Sequence, residues 1–264
     1  MLRSMHDLEN YAIGATDGEM GHVTDIYFDD QAWVIRYLVV DTGSWLISRK
    51  VLISPYAVQE ADWEHKRLPV RLTREQVKGS PDVDTQKPVS RQHEMDYADY
   101  YNYPYYWGGE GFWGDGMYFP VAPVPSEDAK AHARAERARH KNDDPHLRSC
   151  KAVMGHLIHA TDGDIGHVQG MLVDEETWAI RYLVVNTSDW WLGNQVLIPP
   201  EWIAEISWAE FKVSINLTRE TIKNSPRYES SEALNREQEM ALYRHYDRPT
   251  YWEREHAKKI ETMS

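Results

Sequence analysis

The chain contains the same sequence pattern twice, and this duplication limits the folds that it can adopt. Residues 2–107 align with residues 147–252 at a constant offset of 145 positions without a gap, and 41 of the 106 aligned residues are identical. Two copies of about 100 residues each have a common domain size. We therefore expect one domain over residues 1–107, a linker over residues 108–145 and a second domain over residues 146–264.

Charge and composition narrow the classes of function. The formal net charge of −13 disfavours binding to duplex nucleic acid, because such binding needs a basic surface that displaces counterions. No apolar segment reaches the ~18 residues of a membrane span, and the N-terminus lacks the apolar core of a signal peptide. The single cysteine, Cys150, excludes an internal disulfide and suits a reducing compartment, where we expect it to pack inside its domain. The sequence thus predicts a soluble cytoplasmic protein without a transmembrane segment.

The pattern within one copy is typical of a small β domain. The Asp17-Gly18 step predicts a hairpin turn, because glycine supplies the positive φ that tight turns require. Stretches rich in β-branched and aromatic residues predict strands. In the first copy these strands lie over residues 21–28, 33–40, 51–53 and 68–72, and the second copy repeats the same signals. Several short strands in so few residues predict a small antiparallel barrel or a strongly bent sheet.

Short helices follow the strands in each copy. Thr73 and Thr218 stand where an N-cap is expected, and a Ser-Pro pair ends each of the two short helices. Longer helices are predicted over residues 90–101 and 235–246, each leading into an aromatic tail, and a polar helix is predicted over residues 127–141 of the linker. The expected fold class is therefore mainly β with short helices, in two tandem domains that each end in a helical, aromatic-rich extension.

Four elements of the first copy carry a resemblance to a known family. They are the turn from Thr16 to Val23, Asp29, the strand from Ile35 to Val40 and the segment from Leu72 to Pro81. Together they resemble the PRC-barrel family, named after the cytoplasmic domain of the photosynthetic reaction centre H subunit, and the second copy shows the same elements. The resemblance implies a bacterial protein-interaction module, related to reaction centre H-type or stress-associated assemblies. The sequence shows neither the transmembrane helix of the H subunit nor the RNA-associated domain of ribosome maturation factors, so neither activity is implied.

The histidines near the predicted hairpins are the main candidates for catalysis. His22 lies near Asp17 and His167 near Asp162, so each pair is either an acid–base or metal site, or a histidine on a strand surface. Metal sites normally need three or four clustered ligands, which favours the surface interpretation. The sequence also lacks a nucleophile elbow and a phosphate-binding glycine loop. We therefore expect no enzyme activity, no catalytic residue, no metal and no cofactor.

Arginines in apolar strands and aromatic tails are the candidates for binding a partner. Arg36 and Arg181 either reach water or pair with Asp29 or Asp174 at a strand end, or they form part of a shared interface. The chain has 11 Trp and 16 Tyr but only 4 Phe, and aromatic residues with a polar tip are favoured at protein interfaces. The candidate interaction residues are Arg36, Arg181, Tyr103, Tyr105, Tyr106, Trp107, Tyr251 and Trp252.

Three hypotheses about function remain open. The leading hypothesis is a non-enzymatic adaptor that binds an unidentified protein partner, with tails that join the two copies and with homo-oligomers of the whole chain as a further option. The alternative is a carrier of a small molecule or pigment in an aromatic pocket between the domains. The third is a hydrolytic or redox enzyme that uses His22 or His167.

Overall fold

The chain is described by a computed structural model over residues 1–46, 49–81, 89, 91–103, 105–106, 146–187, 194–229 and 234–262. It is mainly β with short helices, and its strands form two sheets, which confirms the predicted fold class. The predicted linker, its polar helix and Trp107 lie outside the described residues. Within these ranges, no helix combines the length and the apolar character needed to cross a bilayer.

Thirteen strands are described, and the predicted strands of the first copy are among them. The strands are β1 (Leu2–Ser4), β2 (Ala12–Ala15), β3 (Gly18–Asp29), β4 (Val34–Asp41), β5 (Lys50–Ile53), β6 (Arg67–Pro69), β7 (Leu147–Ser149), β8 (Leu157–Ala160), β9 (Gly163–Asp174), β10 (Ile180–Asn186), β11 (Gln195–Ile198), β12 (Ile203–Ser207) and β13 (Lys212–Ile215). The first sheet has the order β5-β4-β3-β2-β6, and the second has the order β11-β10-β9-β8-β13-β12. Most neighbours are antiparallel, but β2 pairs with β6, and β8 with β13, in parallel.

Seven α-helices are described, and the sequence predicted four of them. The helices are α1 (Met5–Leu8), α2 (Arg74–Lys78), α3 (Arg91–Tyr101), α4 (Cys150–Val153), α5 (Arg219–Lys223), α6 (Arg236–His245) and α7 (Tyr251–Thr262). The predicted N-caps are confirmed, since the hydroxyls of Thr73 and Thr218 each accept a backbone N–H at 3.2 Å. Cys150 is buried with 4% exposure, which confirms its predicted packing role, and burial raises the pKa of its thiol.

Helix α7 was not predicted from the sequence, which was interpreted there only as an aromatic tail. Its start carries a capping box: the Thr250 hydroxyl accepts the Glu253 N–H at 3.3 Å, and the Glu253 carboxylate accepts the Thr250 N–H at 2.9 Å. A threonine followed three residues later by glutamate is the sequence signal of such a box. Pro249, just before it, also suits a helix start, so the signal was present but was overlooked.

The long strand β3 organises the first sheet. It has 12 residues and pairs with β4 along most of its length. On its other edge, β2 pairs with residues 18–22, and β7 pairs with residues 27–29. Tyr27 therefore has a partner on each side, Tyr37 of β4 and Ser149 of β7. The second half of β3 is thus an interior strand only because β7 covers its edge.

Each sheet contains the first strand of the other copy. Strand β7 begins the second copy but pairs with β3, and β1 begins the first copy but pairs with β9 of the second sheet. One compact unit accordingly comprises Met5–Ala152 and Asp174–Ile180, and the other comprises Met1–Ser4, Val153–Val173 and Arg181–Ser264. The chain therefore exchanges its first strands between copies, which the alignment of the two copies does not reveal.

Apolar and polar contacts anchor β7 in the first sheet. Leu147 is 3% exposed and belongs to a core cluster that includes Tyr27, Tyr37 and Tyr97. The Ser149 hydroxyl donates a hydrogen bond to the Asp25 carboxylate at 2.7 Å. Burial raises the pKa of the Asp25 carboxyl, and the hydrogen bond from Ser149 opposes that rise. Strand β7 is thus an integral part of the core of this unit.

The exchange predicts that the two halves of the chain stay together after the linker is cut. A site-specific protease sequence placed in residues 108–145 should give two fragments that co-elute in gel filtration, because each fragment supplies a strand to the other fragment's sheet. The control variant Leu147→Asp places a charge in the core cluster and should weaken the association of the cleaved fragments, although β1 still pairs with β9. Separate elution of the cleaved fragments without that substitution would show that the exchange does not hold them.

Two equivalent glycines let the long strand of each sheet approach its neighbour. Gly21 and Gly166 have φ values of +146° and +145°, which residues with a side chain rarely adopt. A Cβ atom at Gly21 would lie 1.9 Å from the carbonyl oxygen of Asp41, and one at Gly166 would lie 1.9 Å from that of Asn186. The close approach explains why glycine recurs at this position in both copies.

Gly21→Ala should destabilise the protein far more than Gly43→Ala. Both glycines have positive φ, but a Cβ at Gly43 would meet no atom within 4 Å. We expect Gly43→Ala to lower the free energy of unfolding by about 1 kcal/mol, from backbone strain alone. Gly21→Ala should lower it by about 3 kcal/mol or more, because the backbone must also move. Urea denaturation measures both, and equal losses would contradict the steric explanation.

Candidate functional site

Arg36 lies inside the first unit and forms an ion pair. It is 2% exposed, and its guanidinium lies 3.4 Å from the Asp29 carboxylate. The other oxygen of that carboxylate accepts the backbone N–H groups of Gln31 and Ala32, each at 3.0 Å. Asp29 thus shapes the turn between β3 and β4 while it holds the arginine. The predicted pairing of Arg36 with Asp29 is confirmed.

The other face of Arg36 meets the aromatic tail of the same copy. Its guanidinium carbon lies 3.7 Å from the centroid of the Tyr106 ring, a cation–π contact. The Tyr106 hydroxyl donates a hydrogen bond to Glu94 of α3, a side chain that is fully buried. We call this arrangement of strand arginine, tail tyrosine and helix glutamate the Arg–Tyr–Glu stack. It fastens the helical extension to the sheet.

The second unit contains the same stack, built from the equivalent residues. Arg181 is 7% exposed, and its guanidinium carbon lies 4.1 Å from the centroid of the Tyr251 ring. Glu239 of α6 accepts hydrogen bonds from Tyr251 and from Tyr182, the latter at 2.9 Å. Burial raises the pKa of the Glu239 carboxyl, and the hydrogen bond from Tyr182 opposes that rise. Arg181 pairs with Glu255 of α7 at 2.5 Å.

Most of the predicted interaction residues thus make contacts inside their own copy. Arg36 is brought together with Tyr106, and Arg181 with Tyr251, whereas Tyr103 lines a cavity of the first copy. The Tyr105 hydroxyl donates to Asp99 at 2.7 Å, and the Trp252 ring lies 4.0 Å from the guanidinium carbon of Arg236. A role of these residues in binding a partner, or in joining the copies, stays a prediction.

The stack in the second unit can be tested by separating the ring of Tyr251 from its hydroxyl. Tyr251→Phe keeps the ring over Arg181 and should lower the free energy of unfolding by about 1 kcal/mol, the value of its hydrogen bonds. Tyr251→Ala also removes the ring and should cost about 3 kcal/mol or more. Chemical denaturation measures both variants. A loss in Tyr251→Phe as large as that in Tyr251→Ala would contradict a role for the ring–cation contact.

The first copy also contains a cavity whose walls are largely tyrosine. It has a volume of about 520 Å³ and is open to solvent at its rim. We call it the tyrosine cleft, and its principal lining residues are Tyr56, Ala57, Arg71, Tyr100, Tyr101 and Tyr103. They come from the turn after β5, the segment before α2 and the end of α3. Tyr103 is one of the candidate interaction residues, and only folding brings it together with Tyr56, Ala57 and Arg71, which are distant in sequence.

The inner walls of the tyrosine cleft are ordered and uncharged. The rings of Tyr101 and Tyr103 stack at 5.4 Å with an interplanar angle of 15°, and Tyr56 lies 4.9 Å from Tyr103. Behind them, the Tyr97 hydroxyl donates to the Leu52 carbonyl at 3.0 Å and accepts the Ser54 N–H at 3.1 Å. Burial raises the pKa of Tyr101 to about 12 and raises that of Tyr103 as well. The walls therefore stay neutral at physiological pH.

The rim of the tyrosine cleft is polar and carries one cation. Tyr100 is 44% exposed, and its hydroxyl donates to the Gln76 carbonyl at 2.8 Å, which ties α3 to α2. The Arg71 guanidinium donates to the Tyr56 carbonyl at 2.9 Å. An apolar aromatic interior with a few fixed polar groups at the rim is typical of binding sites.

The two histidines near the hairpins differ in their exposure to solvent. His22 is exposed on β3, as the surface interpretation predicts, and His167 is half-buried. The nearby carboxylates cap helices instead: Asp17 accepts the Arg74 N–H at 2.8 Å, and Asp162 accepts the Arg219 N–H at 2.7 Å. In the part of the chain that the structure describes, no three His, Cys, Asp or Glu side chains cluster as metal ligands would.

Comparison with known proteins supports the family resemblance for one part of the chain. The family model of the PRC-barrel domain matches residues 3–77, which extend from β1 into α2. No curated protein matches the chain. The assignment of the second copy to the same family stays a prediction that rests on its identity with the first. Residues 3–77 are therefore similar to the PRC-barrel domain, a general non-catalytic module, as the turn, Asp29 and the following strand indicated.

Proposed function

We propose that the chain is a non-enzymatic adaptor that binds a protein partner through the tyrosine cleft of its first copy. The observation that carries this proposal is the cleft itself, with tyrosine walls and Arg71 at its rim. Tyrosine and arginine, together with tryptophan, are the residues most enriched among those that dominate binding energy. The PRC-barrel match agrees with such a role, because the resemblance implies an interaction module.

The rigidity of the cleft supports a binding function. Tyr97 is held by two backbone hydrogen bonds, and Tyr101 packs against it with a centroid distance of 4.7 Å. Tyr100 is fixed to Gln76. Side chains that are already ordered lose little conformational entropy when a ligand binds, so more of the contact energy appears as affinity.

The chemistry of the cleft favours binding over catalysis. General base catalysis near neutral pH needs a group whose pKa lies near 7. Burial moves the pKa of Tyr101 and Tyr103 in the opposite direction, away from neutrality. The charged side chain among the lining residues is Arg71, which can bind an anion or a carbonyl group.

The two copies carry different side chains at several positions of the tyrosine cleft, which favours different roles for the copies. Glu201 of the second copy stands at the position of Tyr56, and Asn216 stands at that of Arg71. Glu201 accepts a hydrogen bond from Tyr243 at 3.2 Å and pairs with Arg254 of α7. In the second copy this region is therefore bound to the chain's own C-terminal helix. The first copy supplies the tyrosine and arginine combination that suits a partner.

A small-molecule carrier remains the second candidate. The observation that favours it is the volume of the tyrosine cleft, about 520 Å³, because sites for small ligands occupy about 300–1,000 Å³. This cavity lies within the first copy, whereas the sequence analysis expected a pocket between the domains. A cytoplasmic location, homo-oligomers and a relation to reaction centre H-type or stress-associated assemblies stay predictions.

The adaptor function can be tested by affinity capture from the native lysate with a matched pair of variants. Tyr100→Ala changes the rim, and His245→Ala changes the equivalent position of the second copy. Both side chains make the same kind of contact, since His245 donates to the Thr221 carbonyl at 2.8 Å. We expect Tyr100→Ala to reduce capture of the partner at least tenfold, whereas His245→Ala retains it.

Two outcomes would contradict the adaptor function through the tyrosine cleft. Equal capture by the two variants would show that the partner binds elsewhere on the chain. A co-purifying small molecule that is lost in Tyr100→Ala, without a protein partner, would favour the carrier instead. Native mass spectrometry of the purified protein separates these cases.

A further inference from the structure

One difference between the copies concerns a large aromatic ring at the position of the tyrosine cleft. Ala57 lines the cleft of the first copy, and the equivalent residue of the second copy is Trp202. Each residue lies in a short 3-10 turn that follows an edge strand, Pro55–Ala57 after β5 and Pro200–Trp202 after β11. Both copies thus have the same type of backbone turn here. They differ in the side chain, which is a methyl group in the first copy and an indole ring in the second.

The surroundings of Trp202 show how this fold holds an indole. Trp202 is 1% exposed, and its ring lies 4.5 Å from that of Tyr246 and 5.7 Å from that of Tyr243, almost perpendicular to the latter at 81°. The guanidinium carbon of Arg248 lies 5.6 Å from the indole ring. Within the described part of the chain, the indole N–H meets no hydrogen-bond acceptor. The ring is therefore held by aromatic and cation contacts.

The first copy keeps one of these two tyrosines and lacks the indole, since Ala98 stands at the position of Tyr243. Tyr101, which lines the cleft, is the equivalent of Tyr246, which contacts Trp202. We propose that the tyrosine cleft binds a tryptophan side chain presented by the protein partner. This inference rests on the adaptor function and names the chemistry of the residue that the adaptor recognises.

The cation is also retained, although it comes from a different position. Arg248 of the second copy corresponds to Tyr103 of the first, and Arg71 of the first copy corresponds to Asn216 of the second. Each copy thus has an arginine beside its tyrosine wall, and cations are attracted most strongly to the face of tryptophan. In the second copy the indole of Trp202 lies beside the tyrosine and arginine. In the first copy Ala57 stands at that position and lines an open cavity.

The rim favours a tryptophan within a peptide over a free aromatic ring. Asn102 lines the cleft together with Arg71, so hydrogen-bonding side chains surround the opening. A peptide places main-chain amide and carbonyl groups on both sides of its tryptophan, where such side chains can bind them. A free ring has no main-chain groups for these side chains to bind.

The probe for a test is N-acetyl-5-fluorotryptophan amide, observed by fluorine NMR in the presence of the full-length chain. The fluorine signal is separate from the chain's own aromatic residues. We expect saturable line broadening with the unchanged protein and at least tenfold weaker binding by Ala57→Trp, which places an indole where the second copy has one. Unlabelled N-acetyl-tryptophan amide should compete, whereas N-acetyl-leucine amide should not.

A second variant keeps the test informative if the larger side chain disturbs folding. Arg71→Asn copies the second copy at the rim and should weaken binding of the probe at least threefold. Trp202→Ala should create a second site, so that two equivalents of probe bind in place of one. Circular dichroism checks that each variant is folded.

The possible results separate this inference from the adaptor function. Absence of saturable binding, or equal affinity in folded Ala57→Trp, overturns the inference. Capture of a partner that depends on Tyr100 but is not reduced by N-acetyl-tryptophan amide also overturns it, while the adaptor stands. Binding of free indole without binding of the capped amino acid overturns the inference that the cleft recognises a tryptophan of the partner. It favours the small-molecule carrier.

Discussion

The structure of the first unit depends on the pairing of the last part of β3. Residues 27–29 bond to β4 on one edge, and the backbone groups on the other edge need a partner of their own. An uncovered strand edge is open to incorrect pairing, so it must be covered. Strand β7 supplies the cover and carries Leu147 into the core beside Tyr97. Tyr101 and Tyr103, the inner walls of the tyrosine cleft, pack on that same cluster.

Duplication has preserved the structural contacts while changing the surface that suits binding. The arginine, tyrosine and glutamate of the Arg–Tyr–Glu stack are identical in the two copies, and each stack fastens a helical extension to its own sheet. These charged groups are buried, and a buried charge is tolerated only when it is paired. The cleft region is under no such constraint, and there Ala57 and Trp202 differ. One copy can therefore close its own site while the other stays open to a partner.

Local signals were interpreted correctly where a few neighbouring residues decide the outcome. The N-caps Thr73 and Thr218 and the ion pair of Arg36 with Asp29 follow from side-chain chemistry close in sequence. Helix α7 could have been found from the capping box of Thr250 and Glu253, so its omission reflects an overlooked signal. The exchange of β1 and β7 had no such signal, since both copies begin with the same Leu-Arg-Ser.

The sequence by itself determined the repeat, the strands, the helix caps and the family resemblance, because these depend on periodicity and on short-range chemistry. Only the tertiary structure decided which copy each first strand joins, and only it brought together the three distant segments of the tyrosine cleft. The physical reason is that Leu-Arg-Ser can pair with either long strand. Contacts outside this motif differ between the copies: Lys151 donates to the Thr24 carbonyl at 2.6 Å, whereas His6 stands at its position in the first copy.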